Sequence, residues 1–159
     1  MRAGCYVHAD ATMTTKYLFA VFHLLGLAIG LAAVYARWRA LRRTSMQADV
    51  AGVLHADSWY GLAALIWIGT GLMRAFGGLE KGTEHYLHDH WFIGKMTLFL
   101  LVLALEIKPM ATFMGWRATR GKGEEVDLGN ARTLATLSIL QLPLLILMVF
   151  MAAAMARGL

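Results

Sequence analysis

The chain has 159 residues, of which 58% are hydrophobic and 16% are charged, and its mean hydropathy is +0.56. Soluble domains need about a quarter charged residues to cover their surface. The composition therefore excludes a soluble enzyme, a disordered protein and a secreted disulfide scaffold. The single Cys5 excludes an internal disulfide and any cysteine-built zinc or iron–sulfur site within one chain.

Four apolar stretches follow one another along the chain, and each predicts a membrane-spanning helix. The predicted helices cover residues 17–37, 57–76, 90–108 and 132–156. At about 1.5 Å rise per residue, stretches of about 20 residues cross roughly 30 Å of hydrocarbon. Lipid offers the backbone no hydrogen-bond partners, so helices are the expected form. We predict an all-α fold, a four-helix transmembrane bundle that makes residues 1–159 a single integral membrane domain.

The region before the first helix predicts a flexible leader over residues 1–12, with Met13 as a more natural start. The first apolar stretch could also be a signal peptide, with Val34-Tyr35-Ala36 as its cleavage site. However, the apolar core of a signal peptide has about 7–15 residues, and arginines after it indicate a stop-transfer sequence. We interpret the stretch as a retained helix.

Basic residues in the connectors predict the orientation of the bundle. Nine lie in the connectors after the first and third helices, and four flank the opposite side. Excess Lys and Arg marks the cytoplasmic side, so both termini are expected outside, in a multi-pass protein of the bacterial inner membrane. The net charge of +5 then reports topology in a lipid bilayer and not nucleic-acid binding. The nine are Arg37, Arg39, Arg42, Arg43, Lys108, Arg117, Arg120, Lys122 and Arg132.

One face of the first helix carries a histidine and two glycines. His23, Gly26 and Gly30 are three and four residues apart, which aligns them along a helix. An ionisable group at this depth is costly and usually functional, so His23 is a candidate ligand for a metal or cofactor. The glycines allow a neighbouring helix or a flat ligand to approach the backbone closely. Alternatively, His23 only forms a hydrogen bond between helices.

Two cations are candidates for the same site. Lys95 begins the third helix at a depth similar to that of His23, and we consider it both a cofactor-binding and a catalytic residue. Arg74 ends the second helix. Ammonium and guanidinium groups suit carboxylates, so both could bind the propionates of a ligand. The alternative is a snorkelling lysine and an arginine that anchors its helix at the membrane surface.

Two acidic residues fall at the predicted cytoplasmic ends of helices. Asp57 opens the second helix and Glu106 lies near the end of the third. We expect both to pair only with Lys108 or with solvated arginines, outside any functional site.

The predicted outer loop between the second and third helices is rich in histidine. Residues 80–90 include three histidines and three acidic residues. Imidazoles suit Zn and Cu, so His85, His88 and His90 are candidate metal ligands beside His23. Their spacing matches no closed motif, and a merely polar loop is the alternative.

As a whole, the chain resembles a family of uncharacterised bacterial four-helix membrane proteins. The resemblance covers most of residues 14–155 and implies a topology but no activity. The matching segments are Phe22-His23-Leu24, Asp57-x-x-Tyr60-Gly61-Leu62-Ala63-Ala64, Thr70-Gly71-Leu72-x-Arg74, Glu80-Lys81-Gly82, Tyr86-Leu87-His88 and Lys95-Met96.

The order of these features is also similar to the HemJ-type protoporphyrinogen IX oxidases. This resemblance implies haem b on His23, a required Lys95, a porphyrin substrate and a quinone acceptor. That family has a histidine two residues before the lysine, where this chain has Ile93, and its longer loop and extra C-terminal helix are absent here. The matching segments are Phe22-His23-Leu24-x-Gly26, Trp91 with Lys95, and Arg132-x-Leu134.

The leading hypothesis is a membrane protein that binds b-type haem or porphyrin through His23 and acts in membrane redox or porphyrin chemistry. One alternative is a non-catalytic accessory or assembly subunit, in a homo-oligomer or a larger membrane complex. In that case His23, Gly26 and Gly30 would form a packing seam. Another is handling of Cu or Zn through the outer histidines, in line with a resemblance to copper-resistance inner-membrane proteins, which share the four-helix pattern with an early histidine.

Overall fold

The computed structural model describes residues 3–44, 49–77 and 88–158, with side chains from residue 13 onward. It contains four helices and, in these ranges, no strand. The helices are α1 (Ala3–Arg43), α2 (Val50–Phe76), α3 (His90–Gly121) and α4 (Ala131–Arg157). The prediction of an all-α four-helix bundle is confirmed.

Each helix extends beyond the apolar stretch that predicted it. Helix α1 begins at Ala3 and so includes residues 3–12. The flexible leader over residues 1–12 stays a prediction. Helix α3 continues to Gly121, well past the predicted end at residue 108, and α2 starts at Val50. Hydropathy marks only the part of a helix that suits lipid, whereas residues such as Ala, Arg and Met favour helix in any surroundings.

Among the described residues, three helices are long and apolar enough to cross a membrane. They are Met13–Arg43 of α1, all of α3 and all of α4. Helix α2 is not among them. Helix α2 corresponds to the second of the four predicted spans. It packs extensively against α1, which is long and apolar enough to cross a membrane.

The helices pack in a ring that is incomplete on one side. Helix α1 packs against α2 and α4, and α4 packs against α3, while the described backbones of α2 and α3 come close at few points. The end of α1, the start of α2, the end of α3 and the start of α4 lie at one end of this ring, which we call the basic-loop end. The opposite end holds the beginning of α1, the end of α2, the start of α3 and the end of α4, and we call it the terminal end.

The buried apolar residues form two clusters along the bundle. One lies at the basic-loop end, around Leu41, Phe113 and Leu134. The other lies nearer the middle, around Val34 and Trp67. Large apolar side chains elsewhere face outward, such as Leu65 at 73% exposure and Phe150 at 67%, where lipid would cover them.

Reporter fusions test the predicted orientation. We expect a reporter that is active only in the periplasm to work when fused after Leu159, because positive charge concentrates at the basic-loop end. The matched fusion inside the 122–130 connector should be active only with a cytoplasmic reporter. Cytoplasmic activity from the C-terminal fusion would show that the bundle is inserted the other way round.

Candidate functional site

A cavity of about 300 Å³ lies inside the terminal end of the bundle, and we call it the terminal cavity. All four helices contribute to its walls. His23 from α1, Arg74 from α2 and Lys95 from α3 line it together, so the structure unites the three residues that the sequence singled out. The rest of the lining is almost wholly apolar: Leu24, Leu27, Trp67, Gly71, Ala75, Phe92, Met148, Val149, Ala152, Met155 and Ala156.

The His23 ring is held by α2. Its Nδ1 atom lies 3.0 Å from the Trp67 carbonyl oxygen and 3.1 Å from Thr70 Oγ1. A carbonyl only accepts, so this contact assigns the proton to Nδ1 and leaves Nε2 with its lone pair. None of the described residues forms a hydrogen bond with Nε2. A neutral imidazole fixed in this way is the form that binds a metal.

Trp67 and Gly71 shape the space around that imidazole. The Trp67 ring stacks on the His23 ring, with centroids 5.6 Å apart and planes 24° from parallel. A β-carbon at position 71 would lie 3.1 Å from His23 Cε1, so glycine leaves the imidazole the room it occupies. Helix α2 therefore fixes both the tautomer and the orientation of His23.

Gly26 and Gly30 serve the contact between α1 and α2. A β-carbon at Gly26 would lie 3.1 Å from the Trp67 backbone nitrogen and 3.3 Å from the Ala63 oxygen, and one at Gly30 would lie 3.8 Å from Ala63 Cβ. Of the two roles considered from the sequence, close approach of a neighbouring helix is the one seen. The prediction that these glycines belong to the cofactor site finds no counterpart in the cavity walls that the structure describes.

The start of α3 determines the position of Lys95. Asp89 caps this helix, since its carboxylate accepts hydrogen bonds from the backbone nitrogens of Trp91 at 2.8 Å and Phe92 at 3.3 Å. The next turn carries Lys95 to the cavity wall. No carboxylate of the described residues pairs with Lys95, and Arg74 adds a second positive charge to the lining.

The predicted metal site in the histidine-rich loop is only partly visible. His85 lies outside the described residues, and His88 and His90 are exposed. Within the described ranges, no three His, Cys, Asp or Glu residues lie close enough to hold a metal ion. The metal site in this loop stays a prediction.

A second polar site, which the sequence analysis missed, lies nearer the basic-loop end. Arg37 was assigned to a cytoplasmic connector, but it lies within α1 and is fully buried. Its guanidinium donates to both carboxylate oxygens of Glu106, at 2.7 Å each, and to Asp57 at 3.0 Å. The expectation that these acids pair only with Lys108 or solvated arginines is thus wrong, although exposed Arg117 does contact Asp57 at 2.7 Å.

Side chains of all four helices meet around Arg37. Ser138 of α4 accepts from Arg37 Nε at 3.2 Å, and Gln141 of α4 donates to Glu106 at 2.7 Å. The Arg37 guanidinium also lies 4.6 Å from the centroid of the Tyr60 ring. We call this group the Arg37 cluster: Arg37, Asp57, Glu106, Arg117, Ser138 and Gln141.

One sequence signal could have revealed this cluster. Gln141 lies within an otherwise apolar stretch, one turn after Ser138 on the same helix face. Polar groups at that depth need partners from other helices, so they predict an inward-facing polar site. The identity of the partners depends on residues far away in the chain.

Of the comparisons with known proteins, one identifies a family. A search of curated proteins found no match, and neither did a search of solved structures. A family model described as a predicted membrane protein, DUF2214, matches residues 15–159, which include all the described cavity and cluster residues. The chain therefore belongs to the DUF2214 family of membrane proteins.

Proposed function

We propose that this membrane protein binds b-type haem in the terminal cavity, with His23 as an axial ligand. The observation that supports this most directly is the His23 tautomer. Because Nδ1 donates to the Trp67 carbonyl, Nε2 keeps the lone pair that iron requires. Haem would supply one-electron redox chemistry at this site.

The walls of the cavity suit the rest of such a ligand. Apolar side chains would cover the macrocycle, and Lys95 and Arg74 would hold its propionates. A volume of about 300 Å³ lies at the lower end of ligand pockets, and an adjoining space of about 90 Å³ between α2 and α3 enlarges it.

The resemblance to HemJ-type oxidases supports haem binding more than it supports the oxidase reaction. The Phe22-His23-Leu24-x-Gly26 segment brings His23 to the cavity. However, Ile93, at the position of a histidine in that family, is 51% exposed and does not line the cavity. In a porphyrin-oxidising role, Lys95 would be the group that exchanges protons.

Visible spectra of the purified protein test the haem proposal. We expect the wild type, produced with ample haem, to show a Soret band, and His23→Ala to lose it while still inserting into the membrane. His55→Ala is the matched control, because His55 lies exposed on α2 and contacts Trp59. Lys95→Met should weaken haem affinity by about tenfold or more, as it removes one charge-assisted hydrogen bond.

Two results would contradict the proposal. One is a colourless wild-type protein under these conditions. The other is a His23→Ala variant with its full spectrum, since iron would then have another ligand. If His23 only packs between helices, the substitution lowers stability and no pigment is present to lose.

A further inference from the structure

The side of the bundle between α2 and α3 is closed at one end. At the basic-loop end, Arg117 of α3 reaches across to α2, where it donates to Asp57 at 2.7 Å and to the Leu54 carbonyl and Ser58 hydroxyl at 3.2 Å. The described backbones of α2 and α3 come close at few points, and beyond the Arg117 contacts the two helices meet through the rings of Trp67 and Phe99, whose centroids are 5.9 Å apart. Among the described residues, this leaves a lateral gap beside the terminal cavity.

This gap leads to the cavity residues. A space of about 90 Å³ lies in it and shares His23, Trp67 and Lys95 with the terminal cavity. Leu72 and Phe76 in its wall are 52% and 51% exposed on the outer surface of the bundle, where lipid would lie. We call this space the lateral opening, and its own walls are apolar: Ile68, Leu72, Phe76, Met96 and Phe99.

A cation without a described counter-charge lies at the inner end of the opening. Lys95 lines both the opening and the terminal cavity, and none of the described residues offers it a carboxylate. A cation at this depth is normally paired, so Lys95 would stabilise an anionic group on a ligand.

We infer that the terminal cavity is loaded from the bilayer, through the lateral opening, by an amphiphile whose carboxylate binds Lys95 and Arg74. The hydrophobic body of this ligand lies along the apolar walls of the opening. The inference rests on the proposed function because it uses the same cavity. Haem with its propionates is one such amphiphile, but the inference does not require a bond between His23 and iron.

Quenching of Trp67 fluorescence by dibromostearate tests the ligand class in vesicles that contain the protein. We expect a saturable component of quenching that disappears in Trp67→Phe. Quenching of the other tryptophans should instead rise in proportion to the concentration of dibromostearate. The methyl ester of the probe should bind about tenfold more weakly, since it cannot form a charge-assisted hydrogen bond. Lys95→Met should remove most of this preference for the carboxylate.

A reversible cross-link tests the route. In a Cys5→Ser background, Leu72→Cys and Met96→Cys would be joined across the opening by a flexible, reducible dithiol linker. We expect the saturable quenching to develop at least about tenfold more slowly, and to recover after reduction, because the linker occupies the path. The matched control is the same double variant capped with a monofunctional thiol reagent, which modifies both cysteines without joining α2 to α3.

The outcomes separate this inference from the haem proposal. If the Soret band is missing but dibromostearate still quenches Trp67 in a saturable way, haem binding is contradicted and this inference is not. If the Soret band is present but dibromostearate causes no saturable quenching, this inference is overturned and haem binding is not. Equal loading rates with and without the Leu72–Met96 linker would overturn the lateral route.

Discussion

Replacing Arg37 with Met is expected to lower the free energy of unfolding by about 3–5 kcal/mol, because Glu106 would remain buried without its cation and Asp57 would keep only Arg117. The side chains of Asp57 and Glu106 are only 11% and 15% exposed, so water cannot replace the guanidinium. Glu106 would lose two of its hydrogen bonds, leaving only the one from Gln141. Reversible unfolding of the protein in detergent micelles or bicelles measures the change.

Arg39→Met is the matched control for this variant. Arg39 lies on the same helix two residues later and is exposed, so its replacement should change stability by less than about 0.5 kcal/mol. Adding Asp57→Asn and Glu106→Gln to Arg37→Met should recover part of the loss, since neutral amides remove the unpaired buried charges. Equal stability of the Arg37→Met and Arg39→Met proteins would show that the Arg37 cluster contributes little.

Replacing Gly26 with Ala should destabilise the bundle by about 1–3 kcal/mol through overpacking. The added β-carbon would lie 3.1 Å from the Trp67 backbone nitrogen and 3.3 Å from the Ala63 backbone oxygen. Backbone atoms cannot rotate away as a flexible side chain can, so α1 and α2 must separate slightly. Because Trp67 stacks on His23, the same displacement should loosen the imidazole.

Gly69→Ala provides the control for Gly26→Ala. A β-carbon at position 69, also within a helix, would have no neighbour within 4 Å among the described residues. There the gain in helix propensity, up to about 1 kcal/mol, should leave stability equal or higher. Thermal unfolding followed by circular dichroism compares the two variants, and similar shifts in both would mean that the α1–α2 contact tolerates a methyl group.

The membrane environment and helix order follow from the sequence alone. Hydropathy is a local property that adds along a stretch, so apolar runs predict the helices without any knowledge of their neighbours. Depth along a helix is also local, because each residue adds a fixed rise. This is why His23 and Lys95 could be assigned to a similar depth and Arg74 to the end of its helix, and the structure places all three around one cavity.

The direction in which each side chain faces was decided by the tertiary structure. From the sequence, Gly26 could leave room for a ligand or for a neighbouring helix. In the structure, α2 packs against α1 and occupies that room. Arg37 follows an apolar stretch, and its local sequence does not tell whether the arginine is solvated or buried. It is buried because Asp57 and Glu106, 20 and 69 residues away in the chain, supply the charges that offset its desolvation.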